Sequence, residues 1–265
     1  MVWGQRASID DLLSRIRSGA LTSLTLLPQR RLDGVNDVQR LCDALAQTPC
    51  LTELSLGSHA LDAAQTAILA SLLASTTSLR SLTVGTSSFG DAGVLSLSPG
   101  LAASRSLTSL DLANKGVGEE GGRALGVALA ASPSLAHLAL GDNPLGDAGL
   151  MALCSPAWTG ALRHLHLSAC QLSATCLPAL AAQPGLANLL SLNLSCNPQF
   201  SGSEAADGLV TLVLAASHLT RLELQQTGVG DSGVQAVAGA VLQLGGSCRL
   251  QQLDVSDTGC SDACG

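Results

Sequence analysis

The sequence is poor in aromatic residues and in positive charge. Among its 265 residues there are no tyrosines, two tryptophans and two phenylalanines, and 13 basic residues face 20 acidic ones, for a formal net charge of −7. Lys115 is the only lysine. Proteins that bind a phosphate backbone normally present a basic face. We therefore expect no nucleic acid among the direct partners.

The pattern also lacks a secretory leader, a disulfide framework and a membrane span. The N-terminal "MVWGQRASIDD" has no basic-then-apolar segment, and the nine cysteines form no C-x-x-C pair. No apolar run approaches the roughly 18 residues that a membrane-spanning helix needs. We expect free thiols and a cytoplasmic protein without membrane contact, with the nucleus as the open alternative.

Motifs of catalysis are missing as well. The chain has no G-x-S-x-G elbow, no P-loop and no H-E-x-x-H. "GVGEEG" from Gly116 is formally a dinucleotide fingerprint, but its spacing recurs in "GVGDSG" from Gly228, and both place carboxylates where a pyrophosphate would sit. We interpret both as turns followed by helix caps. The prediction is a protein that is not an enzyme and uses no cofactor.

What the chain does contain is a repeat. The pattern L-x-x-L-x-L returns nine times, at intervals of 27 to 31 residues. Because strand side chains alternate between faces, its leucines should point into a core while the intervening residues face outward. The nine segments begin at Leu21, Leu51, Leu79, Leu107, Leu135, Leu162, Leu189, Leu219 and Leu250.

Each unit reads as a short parallel strand, a turn and a helix. Five turns carry one polar position that can satisfy turn backbone groups, and four helices open with a carboxylate that we expect to cap the free amides of its own helix. The polar position is Asn143, Cys170, Asn197, Thr227 and Thr258, with Gln29, His59, Ser87 and Lys115 as departures in the first four units. The carboxylates are Asp91, Glu119, Asp147 and Asp231.

These repeats resemble the ribonuclease-inhibitor-like subfamily of leucine-rich repeat proteins, on the strength of L-x-x-L-x-L-x-x-(N/C/T) followed by L/V-G-D-x-G. The resemblance implies an α/β solenoid, a horseshoe with a parallel concave sheet, convex helices and about nine repeats. Residues 1–20, with a helix opening at Ser8 and ending near Gly19, are expected to form an N-terminal capping helix. Residues 21–265 form the repeat domain, whose last repeat we expect to be incomplete.

The outward strand positions form the candidate binding surface. They are small and hydroxylic in the first units and longer or charged later, with Arg80, Arg163 and Arg221 as the arginine anchors. His137 and His164 should lie about 5 Å apart on adjacent strands, near His166 and Cys170. This cluster leaves a zinc site open, although a polar surface without metal is the preferred interpretation. The predicted partner-binding residues are Asp111, His137, His164, His166, Asn193, Arg221, Glu223, Gln252 and Asp254.

The sequence therefore favours a non-catalytic scaffold that binds a protein partner of unknown identity on its concave face. One alternative is a regulator of an enzyme, either a ribonuclease inhibitor or an activator of a small GTPase. Another is a repeat segment of a larger NOD-like sensor or of a genome-maintenance scaffold. The oligomeric state stays open.

Overall fold

A computed structural model describes residues 2–3, 9–27, 32, 34–158 and 160–261. Among these, the strands form one parallel sheet in which each strand lies beside its neighbours in sequence. The strands are β1 Val2–Trp3, β2 Ser23–Leu26, β3 Glu53–Leu56, β4 Ser81–Val84, β5 Ser109–Asp111, β6 His137–Ala139, β7 His164–His166, β8 Ser191–Asn193, β9 Arg221–Glu223 and β10 Gln252–Asp254.

Helices connect consecutive strands and line the opposite side of the leucine core. They are α1 Ile9–Arg17, α2 Val35–Gln47, α3 Ala63–Ser75, α4 Gly90–Ala103, α5 Glu119–Ala131, α6 Gly146–Cys154, α7 Leu177–Ala181, α8 Gly202–Ala215 and α9 Gly230–Leu244. Short 3-10 turns cover Ala174–Cys176, Pro184–Asn188 and Gly245–Ser247. Parallel strands joined by such crossovers, unit after unit, make the expected α/β leucine-rich repeat solenoid. None of the described helices has the length and apolar character to cross a membrane.

β2 to β10 coincide with the nine L-x-x-L-x-L segments, and β1 adds a strand that no repeat motif predicts. Val2 and Trp3 pair in parallel with Thr25 and Leu26 of β2. In the same N-terminal region α1 buries Leu12, Leu13 and Ile16. Ser8, the expected N-cap of α1, lies outside the described residues. Gly19 follows α1 with a φ of 71°, a left-handed conformation that ends helices and suits glycine.

The leucines form continuous layers because identical positions pair across the whole sheet. Leu110 pairs with Leu138 and Leu138 with Leu165 in register, and all three are at most 2% exposed. The same holds along the earlier and later strands, so each unit buries its leucines against two neighbours. On β10 the equivalent Leu253 is 38% exposed.

The turn asparagine links two neighbouring repeats through hydrogen bonds. Asn143 is fully buried, and its Oδ1 accepts the amides of Lys115 at 2.9 Å and Val117 at 3.0 Å in the preceding turn. Its Nδ2 donates to the carbonyls of Leu112 and Leu140. One side chain therefore satisfies buried backbone groups that no strand or helix reaches.

The other polar turn positions, or ladder positions, differ in the number of hydrogen bonds that they make. Asn197 repeats the asparagine pattern, accepting from Cys170 and Leu172 and donating to Leu167 and Leu194. The smaller polar residues donate to carbonyls of the same or the preceding repeat: the Cys170 thiol to Leu140, Thr227 to Leu224 and Thr258 to Val255. Gln29, one of the early departures, lies outside the described residues.

The helix-opening carboxylates correct one prediction, because they do not cap their own helices. The N-cap residues of α4, α6 and α9 are apolar and make no side-chain cap hydrogen bond. Instead Asp91 Oδ1 accepts the Gly118 amide of the next repeat at 2.7 Å, and Asp231 accepts the amide and hydroxyl of Ser261. The glycine before each aspartate has a positive φ, and at the first turn of each helix the carboxylate bonds the neighbouring repeat.

Asp147 forms the most extensive of these clamps between repeats. It accepts the Ser173 amide at 2.8 Å and the hydroxyls of Ser173 and Thr175. Desolvation opposes ionisation, but these hydrogen bonds outweigh it and lower the pKa of Asp147. Glu119 departs from the pattern and pairs with Arg123 on its own helix, because "VGEEG" replaces the Gly-Asp pair.

Candidate functional site

A concavity of about 390 Å³ opens on the sheet across β5 to β9. Parallel register places the third residue of each motif beside the third of the next, and the fifth beside the fifth. Because both positions point away from the leucine core, neighbouring repeats present a grid of side chains. Those facing the concavity are Ser109, Asp111, His137, Ala139, His164, His166, Ser191, Asn193 and Glu223.

A pair of stacked imidazoles lies at the centre of the concavity. His137 and His164 are register partners, and their ring centroids are 4.1 Å apart with an angle of 4° between the planes. This is closer than the 5 Å that strand spacing alone predicts, because the rings turn face to face. Desolvation, and then the charge of His137, lower the pKa of His164.

His166 and Cys170 do not join the pair in a metal site. His166 Nε2 hydrogen-bonds the Ser168 hydroxyl at 2.7 Å. Cys170 is buried, its thiol bonds the Leu140 carbonyl at 3.1 Å, and burial raises its pKa to about 11. Within the described part of the chain no three His, Cys, Asp or Glu side chains converge on a metal-sized space.

The fifth strand position commonly folds back onto the turn that follows it. Asp111 Oδ1 accepts the Ala113 amide at 2.9 Å, and Asn193 Oδ1 accepts the Ser195 amide at 2.8 Å. Asp254 Oδ1 accepts the Ser256 amide in the same way, and the hydrogen bonds from Ser256 lower the pKa of the Asp254 carboxyl group. These bonds hold the acids and the amide in fixed orientations at the rim of the sheet.

An ion pair closes the β9 side of the concavity. Arg221 Nε lies 2.9 Å from Glu223 Oε1, and Asn193 donates from Nδ2 to the other oxygen of Glu223. Glu223 faces the concavity, whereas the Arg221 side chain is 53% exposed outside it. Arg221 therefore neutralises Glu223 from the outer side.

The structure brings six of the nine predicted binding residues together, and Arg221, Gln252 and Asp254 lie beyond the concavity. The two other arginine anchors donate to backbone carbonyls of the chain itself. Arg80 donates to the Ser106 carbonyl, and Arg163 to backbone carbonyls near its own strand. The alternating pattern places Ser109 and Ser191 among the outward positions, but the predicted binding set omitted them, and their small size opens the space around the imidazoles.

The formal nucleotide fingerprint at Gly116 is already occupied by a side chain. The Gly118 amide donates to Asp91, and a Cβ on Gly121 would approach Asp91 Oδ1 to 2.5 Å. A carboxylate therefore fills the place where a phosphate would bind. This agrees with the interpretation as a structural turn.

Comparison with known proteins connects this repeat geometry to a family. The model of the Leucine Rich repeat family matches residues 103–126, 131–154 and 215–238. Each matched segment begins near the end of one helix and runs through the next strand into the following helix. No curated protein matches the sequence.

Solved structures share the fold at low sequence identity. A chain of the yeast Rad7 and Elc1 complex superposes with a TM-score of 0.61 at 17% identity, covering 99% of this chain and 70% of that one. A chain of the TLR13–ssRNA13 complex superposes with a TM-score of 0.53 at 17% identity, covering 94% of this chain and 34% of that one. Three segments of the chain are thus similar to leucine-rich repeats, and the superpositions show the fold of a leucine-rich repeat solenoid.

Proposed function

We propose that the protein is a non-catalytic scaffold that binds a protein partner in the concavity of β5 to β9. The observation that carries this proposal is the contrast between a uniform leucine frame and the varied polar side chains that the frame presents. Side chains held by a rigid sheet and by hydrogen bonds to their own turns lose little freedom on binding. Asp111 and Asn193 are held in this way, and Glu223 is held by Arg221 and Asn193.

A protein partner fits the charge of this surface better than a nucleic acid does. The concavity presents Asp111 and Glu223, with Asp254 beyond it, and the exposed Arg221 on its flank is already paired with Glu223. A phosphate backbone would meet carboxylates there. The proposed binding residues are Asp111, His137, His164, His166, Asn193 and Glu223 inside the concavity, with Arg221, Gln252 and Asp254 on its flank.

We also propose that the repeats are of the ribonuclease-inhibitor-like type. Repeat lengths of 27 to 31 residues, full α-helices such as α4, α5 and α8, and a buried Asn or Cys at the turn support this assignment. The subtype does not by itself specify a partner, because function resides in the displayed side chains.

Site-specific photo-crosslinking in cells tests the scaffold function. A benzoylphenylalanine placed at His166, which is exposed on the concave side, should trap one protein species. The matched control places the same residue at Val127 of α5, which is 58% exposed on the convex side. Trapping from Val127 but not from His166 would move the binding surface to the helices, and trapping from neither would contradict the scaffold function.

A further inference from the structure

The stacked imidazoles stand between two open positions of the sheet. The register partner of His137 on β5 is Ser109, and that of His164 on β8 is Ser191. Both serines line the concavity. Because a serine side chain is much shorter than an imidazole, the outer face of each ring borders free space above its neighbouring strand.

A planar group can extend this stack by one layer. Strands lie about 4.8 Å apart, and the two rings are parallel to within 4° at a separation of 4.1 Å. A flat group above Ser109 would meet the outer face of His137 at a similar distance. On the far side of Ser109 its partner on β4 is Ser81, so no large side chain blocks the approach from that strand.

The two open positions differ in charge. The carboxylate of Asp111 lies two residues beyond Ser109 on the same strand and face, about 7 Å along the strand. The equivalent residue beyond Ser191 is the neutral Asn193. Glu223 is paired with Arg221, whereas none of the ion pairs found among the described residues includes Asp111. The β5 side therefore offers an anion without a cationic partner beside an aromatic face.

We propose that this position receives an arginine side chain of the protein partner, its guanidinium stacked on His137 above Ser109 and paired with Asp111. The inference rests on the proposed function and gives its partner a chemistry. Guanidinium is planar, stacks on aromatic faces and donates to a carboxylate through two parallel bonds, whereas the lysine ammonium is a compact point charge without a face.

The surrounding charges allow a cation here while the imidazoles are neutral. The ionisable groups that face the position are Asp111 on β5, His137 on β6, His164 and His166 on β7, and the Arg221–Glu223 pair on β9. Neutral histidines leave the carboxylates in excess. Desolvation and then the charge of His137 lower the pKa of His164, and protonation of that ring places a like charge near the guanidinium, so binding should weaken as the pH falls.

The test begins with a random 12-residue peptide library displayed on phage and selected on the purified full chain. The enriched peptide is then synthesised and titrated by fluorescence anisotropy, alone and with its arginine replaced by lysine or by uncharged citrulline. We expect an arginine in the enriched peptides and a loss of about tenfold in affinity on either citrulline replacement or Asp111→Asn. Asn at 111 keeps the Oδ1 that accepts the Ala113 amide.

Glu53→Gln is the matched control. Glu53 is an exposed acid at the third position of β3, on the same face but outside the concavity. It should change affinity less than twofold, while Asp111→Asn should change it strongly. Equal losses would reduce the effect to general electrostatic attraction and overturn the assigned position.

The outcomes separate this inference from the proposed function. Enriched peptides that lack arginine but lose affinity with His164→Glu would overturn the arginine position and leave the concave binding surface intact. Peptides unaffected by both His164→Glu and Asp111→Asn would overturn both proposals. A failure to enrich any peptide would also count against both, since a preformed binding surface should select ligands from such a library.

Discussion

The strands β2 to β4 and the strands β5 to β9 share one register and one leucine core, but they differ in what they display and in how their turns are tied. The earlier strands present serine and threonine around Glu53, whereas the later ones carry imidazoles, carboxylates and an amide. After β5 the backbone ladder continues into the turns, as in the bonds from Leu112 to Ala139 and from Asn114 to Gly141. Within the described residues the turns after β3 and β4 make no bond equivalent to the one from Asn114 to Gly141.

The difference teaches that the frame is most regular where the displayed residues are most varied. A turn tied to both neighbours holds the end of its strand, and the fifth strand residue bonds that same turn, as Asp111 and Asn193 do. Regular turns therefore hold the candidate binding side chains in place, and we call this the link between frame and surface.

The largest effect should come from removing a ladder asparagine of the regular half. Asn197→Ala leaves the buried amides of Cys170 and Leu172 and the carbonyls of Leu167 and Leu194 without their partner. We expect a loss of about 3 kcal/mol in the free energy of unfolding, measured by urea denaturation. Ser87→Ala, at the exposed ladder position of the irregular half, should cost under about 0.5 kcal/mol.

Hydrogen exchange makes the same comparison locally. In Asn197→Ala the Cys170 and Leu172 amides should exchange faster than in the wild type, while amides around β3 should not change. Comparable costs for Asn197→Ala and Ser87→Ala would show that the two halves are tied equally well, contrary to the link between frame and surface.

How far these features follow from sequence depends on the range of the interactions. The leucine spacing predicts β2 to β10 and the pairing of His137 with His164, because period-two alternation and parallel register are local rules repeated along the chain. The leucine spacing does not predict β1, because Val2–Trp3 carries no motif. The sequence does not predict the hydrogen-bond partners of Asp147 either. Ser173 lies 26 residues away, and an aspartate at a helix start is normally expected to cap its own helix.

Side-chain direction is the part of the site that the sequence pattern leaves undetermined. In sequence Arg163 resembles any exposed arginine anchor, yet its guanidinium bonds the Gly160 and Leu162 carbonyls. The concavity likewise depends on the short side chains of Ser109 and Ser191. Their importance follows only from the stacking of the imidazoles beside them. Rotamers and neighbour contacts decide these points.

An intermediate effect is expected from the clamp between α6 and the following turn. Asp147→Ala removes the bonds from Ser173 and Thr175 and should cost about 1.5 kcal/mol at pH 7. Glu119→Ala is the control, because its contact is an exposed ion pair with Arg123 on its own helix, and it should cost under about 0.5 kcal/mol.

The pH dependence of this clamp has a definite sign. The folded-state pKa of Asp147 is lowered, so the clamp contributes fully above the unfolded value of about 3.9 and is lost as pH falls through the folded-state pKa. The stability difference between wild type and Asp147→Ala should therefore shrink in denaturation series taken from pH 5 towards pH 2. A difference that stays constant over this range would mean that the aspartate does not act as a charged acceptor.

The smallest effect concerns the stacked pair that distinguishes the later strands from the earlier ones. Serine occupies the equivalent position on β4, β5 and β8, so His137→Ser converts β6 to the display of its neighbours. Desolvation and then the charge of His137 lower the pKa of His164, and removing the neighbouring ring relieves both causes. NMR titration of the imidazole protons should show the His164 pKa rising towards its ordinary value of about 6.5, whereas His166→Ser should shift it less because His166 is held by Ser168.

A lowered folded-state pKa for a histidine means that the unfolded chain binds the proton more readily, so the wild type should lose stability as pH falls below about 6.5 and the His137→Ser variant should lose less. An unchanged His164 pKa in His137→Ser would separate the two rings electrostatically, and the later strands would then differ from the earlier ones in shape but not in charge.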